Sequence, residues 1–141
     1  MKEDMIARNI FTAEEGAVIR PEDAAAWLLS PLGQRMLASW EVRREWSFNL
    51  RKPERDLLVQ GIIDCVFREQ EGWILVDYKT DRVEDEQVFV EIYRPQLRWY
   101  AEAVRRLSGR PVKEAWLYAI GKKQAYLVDR WEDENLLREE P

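Results

Sequence analysis

Three residues invite a chemical reading: Asp64 in the run GIIDCVF, and Asp77 and Lys79 in WILVDYKT. Each acid stands in an aliphatic stretch where an apolar residue would fit. A carboxylate in such a place costs on the order of several kcal/mol unless it is paired, hydrogen-bonded or bound to a metal. The two runs are joined by the short turn EQEG (69–72), so they read as neighbouring strands and both carboxylates can approach one point. Asp77 and Lys79 are two residues apart, which puts them on one face of a strand. Two hard oxygen donors beside an ammonium suit Mg²⁺, with Mn²⁺ or Ca²⁺ able to substitute, and water filling the remaining positions. An ion held there can polarise a phosphodiester, and Lys79 can stabilise the charge that builds on the phosphate. The plain alternative is a strand-end Asp–Lys ion pair with a second acid nearby. It suffices for an isolated D-x-K, but two acids and a lysine in this order on adjacent strands favour a site.

The elements that must hold these residues are legible along the chain. Residues 12–40 read as helical: Thr12 and Glu15 have the spacing of a capping box, Pro21 opens PEDAAAWLLS, and Ser30-Pro31 breaks it before PLGQRMLASW. Strands are expected over 42–50, 57–69 and 72–80, as an antiparallel meander with RKPERD as its charged first turn. A helix of roughly 85–108 follows. Its period places Tyr93, Gln96, Leu97, Tyr100, Val104 and Leu107 on one face, and Arg94, Arg98 and Arg105 on the opposite, solvated one. Two further strands are expected over 112–120 and 124–129, then a frayed acidic tail after Trp131. The order predicts an α/β (α+β) fold with a mixed sheet flanked by helices, in one domain over residues 1–141.

Composition narrows the chemistry. The chain of 141 residues has no histidine and a net charge of −5. Histidine acid–base chemistry and histidine-liganded metals are therefore excluded within it. The acidic balance makes it a poor non-specific DNA binder, because phosphate neutralisation by Lys and Arg dominates that affinity. Cys65 is its only cysteine, which excludes a disulfide framework, a cysteine-ligated zinc and an iron–sulfur cluster, and reads as a small core residue. Seven Trp lead us to expect some of them on a partner surface. No membrane-spanning run or signal peptide is visible, so the expected location is cytoplasmic.

Gly61-Ile62-Ile63-Asp64, Asp77-Tyr78-Lys79-Thr80 and the QLRWY of Gln96 to Tyr100 resemble the RecB-family branch of the PD-(D/E)XK nucleases, and within it the C-terminal nuclease domain of AddA-type helicase–nucleases. The resemblance runs from about Phe11 to Val128 and includes SPLGQRML, REWSF and GRPVKEAWLY. It implies a restriction-endonuclease-like fold and Mg²⁺-dependent exonuclease action on DNA in double-strand-break repair. Asp64, Asp77 and the main-chain carbonyl of Tyr78 are implied as metal ligands, Lys79 as the catalytic lysine, and Gln96 and Tyr100 as a supporting helix motif. The helical period agrees on that last pair, which lie one turn apart on the same face. Glu45 matches an acid that recurs in the family before the first core strand; it is either a supporting acid of the site or a solvated residue beside Arg43 and Arg44. Implied partners are DNA, the helicase portion of the same parent chain and an AddB-like second subunit. The family's upstream histidine is missing, so the chain is expected to be a C-terminal piece of a longer enzyme without that N-terminal helix. An inactive nuclease fold used as a docking or scaffold module is the competing expectation. A Cas4-like exonuclease is disfavoured by the single cysteine.

Overall fold

The computed structural model describes residues 20–52 and 57–138. The expected capping box at Thr12 and Glu15 lies outside them. Helices α1 (Pro21–Leu29) and α2 (Pro31–Leu37) lead into strands β1 (Val42–Lys52), β2 (Leu57–Glu69) and β3 (Gly72–Lys79). Helix α3 (Glu86–Ser108) then crosses to β4 (Val112–Ala119) and β5 (Gln124–Val128). The five strands lie in sequence order, antiparallel except for the parallel pair β3–β4 that α3 connects. This is the expected mixed sheet.

Local chemistry sets the boundaries. Ser30 ends α1 and caps α2, its hydroxyl accepting from the Gly33 N–H at 3.0 Å, and Pro31 takes the first turn. Asp85 caps α3 by accepting from the Gln87 and Val88 N–H groups. Gly109 closes that helix in the left-handed conformation, φ 75°.

Both faces of the sheet are covered. On one face Trp27, Leu32 and Met36 of α1 and α2 pack on Ile74, Val76 and Tyr78. On the other, Leu97, Tyr100 and Val104 of α3 pack on Leu75 and Leu117. A strand period of two therefore sends Trp73, Leu75, Asp77 and Lys79 toward α3.

The β1–β2 ribbon departs from that regularity. Ile63 joins the core under α3, whereas Cys65, two residues on, joins the core under α1 and α2. The ribbon changes face at Asp64, and the residue across the ladder, Glu45, has φ 52°. Pairing between β2 and β3 runs only from Cys65↔Val76 to Glu69↔Gly72. Beyond that point β2 leaves the sheet with β1 as a two-stranded arm, and the arm closes over α3: Phe48 packs edge-on against Tyr100, and Arg106 donates to the Arg51 carbonyl.

That arm overturns part of the helical expectation. Covered on two sides, α3 buries Arg94, which is ion-paired with Glu91 and Asp129, and nearly buries Arg98 against Glu102. The solvated arginine stripe does not exist, and Leu107, expected in the core, is 49% exposed. The tryptophans are mainly core: Trp27, Trp73 and Trp99 are fully buried, and Trp40 is the large exposed one among the described residues. The tail forms a 3-10 turn at Glu134–Arg138 whose Leu137 packs on the α3 core.

Candidate active site

The site forms where β2 separates from β3. There Asp77, Tyr78 and Lys79 have β4 on one side and no β2 backbone on the other. The carboxylate of Asp64 fills that gap: its Oδ2 accepts the Tyr78 N–H at 2.9 Å. Asp64 thus meets the main chain at the residue following Asp77. Both acids are buried, Asp64 at 6% exposure and Asp77 at 3%.

Tyr78 itself points to the opposite face. It packs edge-on against Trp27 with ring centroids 5.3 Å apart, and also against Tyr118. This aromatic cluster fixes the β3 main chain from behind. Burial, then neighbouring Cys65, pushes the Tyr78 phenol well above its usual range, so it stays neutral. Cys65 is the core residue the sequence suggested, its thiol raised to about 12 by burial.

The Lys79 ammonium is gripped by three groups. Nζ lies 2.8 Å from Asp77 Oδ2, donates to Gln96 Oε1 at 2.7 Å, and sits 4.1 Å from the centroid of the Tyr93 ring. Gln96 in turn donates through Nε2 to the Tyr100 hydroxyl at 3.1 Å. Tyr93 is held by its own hydroxyl, which donates to Asp81 Oδ2 at 2.6 Å. Burial, that hydrogen bond and the nearby charge of Asp77 raise the Tyr93 phenol to about 12. The structure thus joins Asp64, Asp77, Tyr78, Lys79, Gln96 and Tyr100 in one network. Glu45 stands across from Asp64 in register, but its side chain is exposed. Tyr93 and Asp81 were missed as site residues by sequence reasoning, although the period placed Tyr93 on the same face as Gln96.

The donor set fits a hard divalent cation. Asp77 Oδ2 is buried and accepts no hydrogen bond among the described residues; the Lys79 ammonium is close enough for attraction but not aligned for a hydrogen bond. No group of three or more Asp, Glu or Cys side chains converges among the described residues. The side-chain share of such a site is therefore the two aspartates, and main-chain oxygen and water would complete it.

A buried acid pair on diverging strands, with a lysine two residues on and a mixed sheet carrying it, defines a class. Residues 3–140 match the family described as the PD-(D/E)XK nuclease superfamily, and the chain belongs to it. Its relatives include proteins named as the A subunits of ATP-dependent helicase/nucleases. The one from Clostridium botulinum (strain 657 / Type Ba4) is 37% identical over 139 residues, spanning 89% of this chain and 11% of that protein. The one from Alkaliphilus metalliredigens is 40% identical over 134 residues, 85% of this chain and 11% of that protein. The Moorella thermoacetica protein is 37% identical over 133 residues, 84% of this chain and 9% of its own length. The chain thus spans about a tenth of the length of the curated relatives it matches.

Proposed function

We propose that this chain is the nuclease domain of a helicase–nuclease, one unit over residues 1–141, which hydrolyses the phosphodiester bonds of DNA with Mg²⁺ during double-strand-break repair. The observation that carries the reading is the Lys79 ammonium, fixed 2.8 Å from the buried carboxylate of Asp77 by Gln96 and the Tyr93 ring. Asp64, Asp77 and the Tyr78 carbonyl would hold the cation. When bound, the cation supplies Lewis-acid polarisation of the phosphodiester. The protein's own part is positional and electrostatic. Lys79 presents a positive charge to the oxygens on which negative charge develops, in a place that is already ordered. Gln96, backed by Tyr100, keeps that ammonium aimed, and Glu45 stands as an exposed acid at the edge of the site. The relatives' name supports exonuclease action beside a helicase portion of the same parent chain and an AddB-like second subunit, in the cytoplasm where bacterial DNA lies. No helix among the described residues is long and apolar enough to cross a membrane, which agrees with that location.

The test is cleavage of end-labelled single-stranded DNA by the 141-residue chain with Mg²⁺ against chelator. Cleavage is expected to vanish in Asp77→Ala and Lys79→Ala while far-UV circular dichroism is kept. Cleavage surviving both substitutions rejects the site. The docking-module reading is favoured by a single observation, the convergence of only two acidic side chains. It predicts no calorimetric heat with millimolar Mn²⁺ and no effect of Asp64→Asn, whereas the nuclease reading predicts binding that Asp64→Asn weakens.

A further inference from the structure

The outward face of the β1–β2 arm carries an open groove of about 620 Å³, lined by Ser47, Asn49, Gln60, Ile62 and Leu107 together with Phe48 and Gly61. None of these residues is acidic, in a chain that has 27 Asp and Glu. Ser47 pairs with Ile62 and Asn49 with Gln60, so hydroxyl and amide groups stand side by side along it.

Arginines gather at one end. Arg51 continues the outward face two residues beyond Asn49, and its carbonyl accepts from Arg106 Nη1 at 3.5 Å. Arg105 and Arg106 directly precede Leu107, and with Arg98 they share the single carboxylate of Glu102. Three guanidiniums on one carboxylate leave a surplus of positive charge. The Arg105 and Arg106 side chains, 56% and 44% exposed, present it to solvent. At the other end Ser47 is two residues from Glu45, and Ile62 is two residues from Asp64. The six residues from Arg51 to Glu45 span ~20 Å of strand, so the groove runs from the arginines to the candidate active site.

We propose that this groove seats the incoming DNA strand, a proposal that rests on the nuclease reading above. Arg51, Arg105 and Arg106 hold phosphates, for which the guanidinium fork is suited. Ser47, Asn49 and Gln60 hydrogen-bond phosphate and sugar oxygens; with arginine they are the side chains that bind such oxygens elsewhere. Ile62 and Leu107 offer apolar surface to sugars and base faces. The groove gives an otherwise acidic chain a local route for a polyanion, and it leads to the place where a phosphodiester would be cut.

Strand binding is measured by fluorescence anisotropy with a labelled oligothymidylate in EDTA, so that cleavage does not intervene. Arg51→Glu combined with Gln60→Glu changes only exposed side chains. It is expected to weaken binding about tenfold or more and to reduce the salt dependence by ~0.7 in log–log slope for each phosphate no longer neutralised. Metal-supported hydrolysis of bis-(p-nitrophenyl) phosphate, too small to reach the groove, should keep its rate. Unchanged oligonucleotide affinity and salt slope in this variant would overturn the proposal, as would failure of the unsubstituted chain to bind the oligonucleotide. Equal binding of polyglutamate would overturn it in favour of an acidic protein partner. Asp77→Ala separates the two readings: groove binding in EDTA stays intact while hydrolysis is lost. Strand binding with hydrolysis untouched by Asp77→Ala would reject the active-site reading alone.

Discussion

The Lys79 ammonium donates to Gln96 Oε1 at 2.7 Å, and this hydrogen bond ties the end of β3 to the middle of α3. Strand and helix are separated in sequence by the loop that Asp85 closes, so the lysine's aim depends on how α3 docks. Gln96→Ala is expected to lower kcat by about 10²-fold with KM nearly unchanged, the scale of misplacing one group at a reacting centre. Gln96→Glu, which keeps the acceptor, should restore part of the rate. Steady-state cleavage kinetics read both.

Tyr93 contributes its ring to Lys79 and its hydroxyl to Asp81. Tyr93→Phe keeps the ring face under the ammonium and is expected to hold cleavage within a few-fold of the unsubstituted rate. Tyr93→Leu removes it. A cation–π interaction is worth ~0.5–2 kcal/mol, so a further fall of about 2- to 30-fold should appear in kcat. Equal rates for Phe and Leu would mean that the ring only fills space.

Asp64 has two separable duties, and substitution can divide them. Asp64→Asn keeps an oxygen for the Tyr78 N–H and is expected to leave the thermal midpoint almost unchanged while Mn²⁺ heats fall in calorimetry. Asp64→Ala leaves that N–H without its acceptor and should cost about 1–3 kcal/mol in denaturant unfolding.

Glu102 gives the fold its acid sensitivity. Burial pushes its carboxyl up, but hydrogen bonds and charge from Arg105 and Arg106 prevail and hold it at about 2, below the ordinary 4.5. A depressed carboxyl contributes stability that is fully present above the unfolded value and is lost as pH falls from near 4.5 through about 2. Screening at the exposed arginines keeps the effect on the order of 2 kcal/mol. Urea midpoints between pH 7 and 3 should fall less steeply in Glu102→Gln than in the unsubstituted chain.

Much of the site was readable because its residues break local patterns. An acid in GIIDCVF and another in WILVDYKT conflict with aliphatic strands, and such conflicts mark function. The strand period was enough to put Asp77 and Lys79 on one face, and the helical period put Gln96 and Tyr100 together. What the period could not convey is the arm. Amphipathic reasoning assumes one buried face for a helix, and α3 has two because β1 and β2 fold back over it. For that reason Arg94 and Arg98 were assigned to solvent and Leu107 to the core. The turn at Glu45 was also hidden: φ 52° on a glutamate has no sequence signature, and with it went the change of face at Asp64. Tyr93 was placed on the correct face, but aromatic residues on a core face are ordinarily packing, and only the position of Lys79 distinguishes it.

The parting of β2 from β3 has a thermodynamic consequence for cation capture. Asp64 is immobilised by sheet formation itself, since its carboxylate completes the bonding of Tyr78, and Asp77 is immobilised by strand β3. Their rotational freedom is surrendered when the chain folds, before any ion arrives. Binding should therefore proceed with little accompanying order, and its affinity should respond to changes along the β2–β3 seam far more than to changes in α3.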